Sequence, residues 1–153
     1  MDMRIVRGDL LDQDVEVIVN AWNRSLLPWW ILIPQGVSKA IRRRAGSGPF
    51  RELRSKGLLA LGAAVETGAG RLPQRAIIHV AGIGLLWRSS ERAVRASVRN
   101  AIALAGNRGY RSIAFPLIGA GTGGKRHDDV REWMQSELAG LEYPGEVRIV
   151  EFA

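Results

Sequence analysis

Phe115-Pro116-Leu117-Ile118-Gly119-Ala120-Gly121-Thr122-Gly123-Gly124 joins an apolar run to a cluster of glycines. The run from Ile113 to Phe115 stops at a proline, and four glycines follow around Ala120 and Thr122. Glycine accepts positive φ, and without a Cβ its backbone N–H lets a ligand come close. A row of such amides after a strand and before a helix makes a concave seat for an anion. The stretch therefore predicts a buried strand, a phosphate-binding turn over Gly119, Ala120, Gly121, Thr122 and Gly123, and a following helix. Glycine clusters after strands are equally often plain turns, so the rest of the chain has to decide.

Working outward, short β-rich runs lie at residues 3–6, 15–20, 63–67, 76–81, 113–116 and 147–152. Several are nearly continuous apolar runs, as in strands covered on both faces. Helical patterns separate them. Ser90 is placed as an N-cap with Glu91 in the first turn, and Val94, Val98, Ala101, Ile102 and Ala105 share one face. Val130, Trp133, Met134, Leu138 and Leu141 recur at helical spacing after Asp128 and Asp129, and residues 37–45 make a third helix with Gly46 beyond it. Alternating strands and helices predict an α/β fold, a three-layer α/β/α sandwich with a mixed, mostly parallel central sheet, forming one domain over residues 1–153. Ligands of such sheets sit beyond the carboxyl ends of the strands, where the glycine cluster falls.

Composition narrows the function. With 46% hydrophobic and 24% charged residues among 153, the chain falls in the globular range, which argues against a disordered chain. No apolar run nears the roughly 20 residues that span a bilayer, and residues 3–6 read as a strand rather than part of a leader. The absence of cysteine excludes disulfides, cysteine metal sites and thiol nucleophiles. The expectation is a cytoplasmic monomer with no metal, no cofactor and no membrane partner. Net charge is +7, with Arg42, Arg43, Arg44, Arg51, Arg54 and Lys56 in one cluster and Arg92, Arg95 and Arg99 at helical spacing. Such stripes either decorate solvated surface or attract a polyanion, nucleic acid or a phosphorylated ligand.

Six segments share an order and spacing. They are Gly8-Asp9-Leu10, Asn20-Ala21-Trp22-Asn23, Gly36-Val37-Ser38-Lys39-Ala40-Ile41, Gly62-Ala63-Ala64-Val65-Glu66-Thr67, Ile77-Ile78-His79-Val80-Ala81-Gly82 and the glycine loop. Together they resemble the macrodomain family, whose members bind ADP-ribose and in some cases hydrolyse it from modified targets. The resemblance runs from about Arg4 to the helix after Gly124. It implies that Asp9, with Leu10 beside it, accepts a hydrogen bond from the adenine amine; a turn-stabilising aspartate is the plainer alternative. It implies that Asn23 meets ribose hydroxyls, or else is a satisfied loop amide. The amides of Gly36, Val37 and Ser38, with those of Gly119 to Gly123, would hold a pyrophosphate from two sides. Ala21 and Trp22 are read as packing residues.

The chain departs from the hydrolytic pattern. Hydrolytic macrodomains often carry a glycine-rich first loop and then Gly-Val-Asp-Gly. Here residues 24–35 include Trp29 and Trp30 between Pro28 and Pro34, and Ser38 stands in place of the aspartate. Another class uses an aspartate where Gly123 stands, and a lysine from which Lys39 is displaced by one residue. The Trp-Trp insert reads either as core cover or as an aromatic wall over the distal ribose. Among the titratable groups, His79 reads as a hydrogen-bonded core residue. His127 beside Asp128 and Asp129 reads as an ordinary helix start or as a base titrating near neutrality. The resemblance thus implies a hydrolase that removes ADP-ribose from acidic protein side chains or nucleic acid, with water oriented by Asn23, Gln35 or Ser38, and His127 as the remaining candidate base. A substrate phosphate oxygen would activate the water. The alternatives are a non-catalytic ADP-ribose reader and a phosphatase or deacetylase acting on ADP-ribose derivatives.

Overall fold

The computed structural model describes residues 1–23, 37–57, 59–83, 90–120 and 126–152. Among these residues six strands form one sheet: β1 (Asp2–Gly8), β2 (Val17–Asn23), β3 (Ala64–Thr67), β4 (Ala76–Ile83), β5 (Ser112–Pro116) and β6 (Glu146–Phe152). Their order across the sheet is β1-β6-β5-β2-β4-β3. Every neighbouring pair is parallel except β3 with β4. All six runs anticipated from sequence are strands; β2 is shifted toward its carboxyl end, reaching Asn23.

Among the described residues, four α-helices cover the two faces: α1 (Val37–Ala45), α2 (Gly48–Ser55), α3 (Glu91–Asn107) and α4 (His127–Ala139). Val94, Val98 and Ile102 of α3, with Val130, Met134 and Leu138 of α4, close one core against Val17, Val19, Ile78, Phe115 and Ile149. Ile41 and Ala45 of α1, with Phe50 and Leu53 of α2, close the other against Ile18, Ile77, Ala81 and Val150. The Ser90 hydroxyl accepts from the Ala93 amide at 3.1 Å, as an N-cap should. Trp22 is half-buried and packs on Phe50, with ring centroids 5.7 Å apart.

Helix α2 was not legible in the sequence. Ser47-Gly48-Pro49 has the composition of a turn, yet Pro49 sits in the first helical turn, where its missing N–H costs no bond. With only eight residues, α2 buries Pro49, Phe50 and Leu53, too short a stretch for a periodic signal.

Just before β4, Gly70 closes the end of α1. Its φ is +59°, and a Cβ there would lie 2.2 Å from the carbonyl oxygen of Ala45, which already accepts from the Arg71 amide at 3.1 Å. Gly57 also has positive φ, at +78°, but a Cβ there meets nothing within 4 Å. Backbone strain of this kind costs about 1–3 kcal/mol. Gly57→Ala should therefore lose no more than that in urea unfolding, while Gly70→Ala should lose clearly more because the clash adds to the strain. Equal losses would show that the Gly70 approach is not a tight constraint.

Candidate functional site

The carboxyl ends of β1, β5 and β6 open onto a cavity of about 330 Å³. Gly8, Pro116 and Val150 contribute its sheet side, Leu10 and Leu11 one wall, and Val37 and Ala40 of α1 another. Phe152, the last residue of β6, lies on its lining while 83% exposed. An aromatic face left in water beside an apolar cavity is a surface for a flat ring.

Asp9 is the carboxylate of this lining. It caps the short 3-10 turn Leu10–Asp12, its Oδ1 accepting from the Leu11 amide at 2.9 Å. Its Oδ2 lies 4.0 Å from Nη1 of Arg44, and Arg44 itself bonds Asp12 at 2.9 Å. One oxygen thus stabilises the turn, and the other keeps accepting capacity for a ligand donor. The turn-stabilising reading of Asp9 therefore holds.

Val37 opens α1, whose first-turn amides have no intrahelical acceptors and favour an anion. Gly119, at φ +81°, turns the chain after β5. The amide of Ala120 donates back to Leu117 at 3.3 Å within that turn. Asn23 ends β2, where the pairing with β4 slips: Ala21 faces Val80, but Asn23 faces Ile83. Such an irregularity re-aims the strand end. Gln35, Gly36, Gly121, Thr122 and Gly123, with Trp29 and Trp30, lie outside the described residues.

Ser38 faces the sheet. It is buried, and its hydroxyl donates to Oδ1 of Asn20 at 2.7 Å. Asn20 then donates through Nδ2 to Nδ1 of His79 at 3.0 Å, so the imidazole carries its proton on Nε2. Nε2 donates to the Thr67 hydroxyl at 2.8 Å, and Thr67 donates to the Gly68 carbonyl at 2.9 Å. Asn20, His79 and Thr67 each accept one bond and donate one in this chain, so the bonds all run one way. Beyond it, the Gly68 amide donates to Glu52 of α2 at 2.9 Å. The relay ties α1, β2, β4 and β3 together beneath the amino end of α1.

His127 opens α4 and is exposed. The carboxylate after it, Asp128, is turned to Arg131 at 3.0 Å. Two features of the site were not read from sequence. Phe152 joins it only because β6 lies between β1 and β5, a strand order that no local pattern reveals. Asn20 and Thr67 lay within recognised segments, but only the side-by-side placement of β2, β4 and β3 shows that they hold His79. Among the described residues no group of three or more His, Cys, Asp and Glu could hold a metal, and no helix is long and apolar enough to cross a membrane.

The Macro domain family model matches residues 19–134, most of the chain, and the chain belongs to that family. A Macro domain-containing protein of Streptomyces griseus is 44% identical over 160 aligned positions, covering 98% of this chain and 87% of the relative. The O-acetyl-ADP-ribose deacetylase of Escherichia fergusonii is 38% identical, covering 80% of this chain and 70% of its own. The Oceanobacillus iheyensis macrodomain with ADP superposes with a TM-score of 0.80 at 29% identity, over 97% of this chain and 82% of that one. The macrodomain of Thermus aquaticus DarG gives 0.79 at 27% identity over 97% of both chains.

Burial, with a smaller contribution from the charge of Lys56, pushes the His79 imidazole down from 6.5 to about 3. The unfolded chain binds this proton near pH 6.5 and the folded chain does not, so stability is full above pH 6.5 and falls as pH drops toward 3. The slope approaches 1.4 kcal/mol per pH unit, roughly one proton's worth. Urea midpoints of the wild type should fall between pH 6.5 and 4.5, and His79→Asn, though less stable throughout, should be nearly flat there. Parallel curves would mean that another group carries the acid sensitivity.

Proposed function

We propose that this chain binds ADP-ribose in the crevice at the ends of β1, β5 and β6 and hydrolyses a carboxylate ester carried on its distal ribose. The observation that carries the reading is the cavity itself. Apolar walls, an exposed aromatic ring and the half-engaged carboxylate of Asp9 stand beside the amino end of α1. Adenine would lie against Phe152 with its exocyclic amine on Oδ2 of Asp9. The diphosphate would lie at the start of α1 and along the turn through Gly119. The distal ribose would then reach toward Asn23 at the end of β2. Relatives named O-acetyl-ADP-ribose deacetylases and a related macrodomain holding ADP support this reading.

An O-acetyl group and an acidic protein side chain are both carboxylate esters of ribose. In the first, water adds to the acyl carbon, the acyl–oxygen bond breaks, and the ribose oxygen leaves as a hydroxyl after taking a proton. In the second, water adds to the anomeric carbon, and the side-chain carboxylate leaves through an oxocarbenium-like state. Either way water gives up a proton, and a diphosphate oxygen of the substrate takes it. The chain's part is to fix that phosphate and the ribose in reacting geometry. Ser38 serves as a positioning residue here, because its hydrogen is committed to Asn20. That commitment also favours a second reading, a non-catalytic reader of ADP-ribose, since no carboxylate stands at this turn of α1.

Calorimetry with ADP-ribose tests binding. Asp9→Ala should weaken it by about 1–3 kcal/mol, the loss of a hydrogen bond to a charged group. Phe152→Ala should cost a similar amount, as removal of a base-stacking ring does, about 1–3 kcal/mol. Unchanged affinity in both variants would move adenine out of this cavity.

Catalysis is tested by product release from O-acetyl-ADP-ribose, from a protein ADP-ribosylated on acidic side chains, and from an ADP-ribosylated oligonucleotide. Release from at least one of the two carboxylate esters is expected. Release from the oligonucleotide alone would contradict the ester reading, and binding without any release would establish the reader. His127→Ala should slow turnover less than tenfold. A loss of about 10²–10⁴-fold, the contribution of a positioned base, would make His127 that base instead.

A further inference from the structure

Charge is divided unequally between the two helical layers. Helices α1 and α2 carry Lys39, Arg42, Arg43, Arg44, Arg51 and Arg54 against the single acid Glu52. Helices α3 and α4, across the sheet, carry four arginines against five acids. The arginines of that second layer are also neutralised: Arg95 and Arg99 reach Glu137 at 3.5 and 2.7 Å, and Arg131 pairs with Asp128 and Glu151. The stripe Arg92, Arg95 and Arg99 is therefore mostly spent within the fold.

The α1–α2 layer is different. Arg44 bonds Asp12, and Glu52 is used by the Gly68 amide. Among the described residues, Arg43 and Arg51 are exposed and engage no acidic side chain. Arg71 adds another cation where the two helices join: a Cβ on Gly46 would lie 3.5 Å from its guanidinium. Arginines in the last turn of α1 complement the helix dipole, but this accounts for neither Arg51 nor Arg71. The patch also continues into the nucleotide cavity, because Val37 and Ala40 of α1 line it and Arg44 stands at Asp9.

We propose that the α1–α2 face is a docking surface for the phosphate backbone of nucleic acid, running up to the rim of the nucleotide cavity. Two features favour nucleic acid over an acidic protein. The cations are almost all arginine, whose planar fork matches phosphate oxygens in pairs. Duplex DNA presents one negative charge per about 1.7 Å of axis, a density that suits closely spaced cations on a pair of short consecutive helices. The inference rests on charge placement and is independent of the ester hydrolysis proposed above.

Fluorescence anisotropy of a short mixed-sequence labelled duplex tests it, with the whole chain titrated at several salt concentrations. The wild type should bind, with affinity falling steeply as salt rises. The Arg43→Glu/Arg51→Glu variant should bind at least about tenfold more weakly at low salt, with a log–log salt slope shallower by about two. Arg92→Glu/Arg108→Glu, at the two ends of α3 where Arg108 follows the last turn and lies 3.5 Å from Glu66, changes net charge equally on the opposite layer and should lose far less. Circular dichroism and ADP-ribose affinity should be unchanged in Arg43→Glu/Arg51→Glu, which separates failure of this surface from failure of the nucleotide site. Equal losses in the two double variants, no binding by the wild type, or tighter binding of poly-glutamate than of duplex would each overturn the proposal.

Discussion

The hydrogen bond between Asn20 and His79 is the constraint on which the site depends. The two residues face one another across β2 and β4, each fully buried, where an unpaired polar group would cost several times what a bond returns. Each therefore needs a partner on its other side. Asn20 finds Ser38 at the start of α1, and His79 finds Thr67 on β3. A slip of α1 along the sheet, or of β4 against β2, would orphan two buried groups together. The amino end of α1 is thus held by bonds of fixed direction beneath a helix that carries only nine residues.

That arrangement changes what position 38 does. Many hydrolytic macrodomains carry an aspartate where Ser38 stands. Serine gives its hydrogen inward and becomes part of the support. Asp9 is similarly divided, one oxygen capping the Leu10 turn and the other facing Arg44 and the cavity.

Much of this could be read before any coordinates. Nearly continuous apolar runs marked β4 and β5, because strands covered on both faces leave no polar alternation. Ser90 announced α3 and Gly46 the end of α1, since caps act through their immediate neighbours. Asp9, Leu10 and Val37 were picked out by the order of the motifs and all line the cavity. What stayed hidden depends on distance in sequence. Phe152 reaches the cavity through strand order alone, and α2 hid behind a turn-like Ser-Gly-Pro opening. His79 was read as a satisfied core residue; its partners were not, because Thr67 belongs to the one strand that runs antiparallel. Charge segregation between the layers likewise appears only once α1 and α2 are known to share a face.

The central claim is that the cavity between Asp9 and Phe152 receives adenine, with the diphosphate at the start of α1. A crystal structure with ADP-ribose tests it most directly. The account predicts the exocyclic amine within hydrogen-bonding distance of Oδ2 of Asp9, the ring against Phe152, and phosphate oxygens on the first-turn amides of α1. Adenine lodged elsewhere, or the diphosphate away from α1 with the Ser38–Asn20–His79 bonds intact, would contradict it.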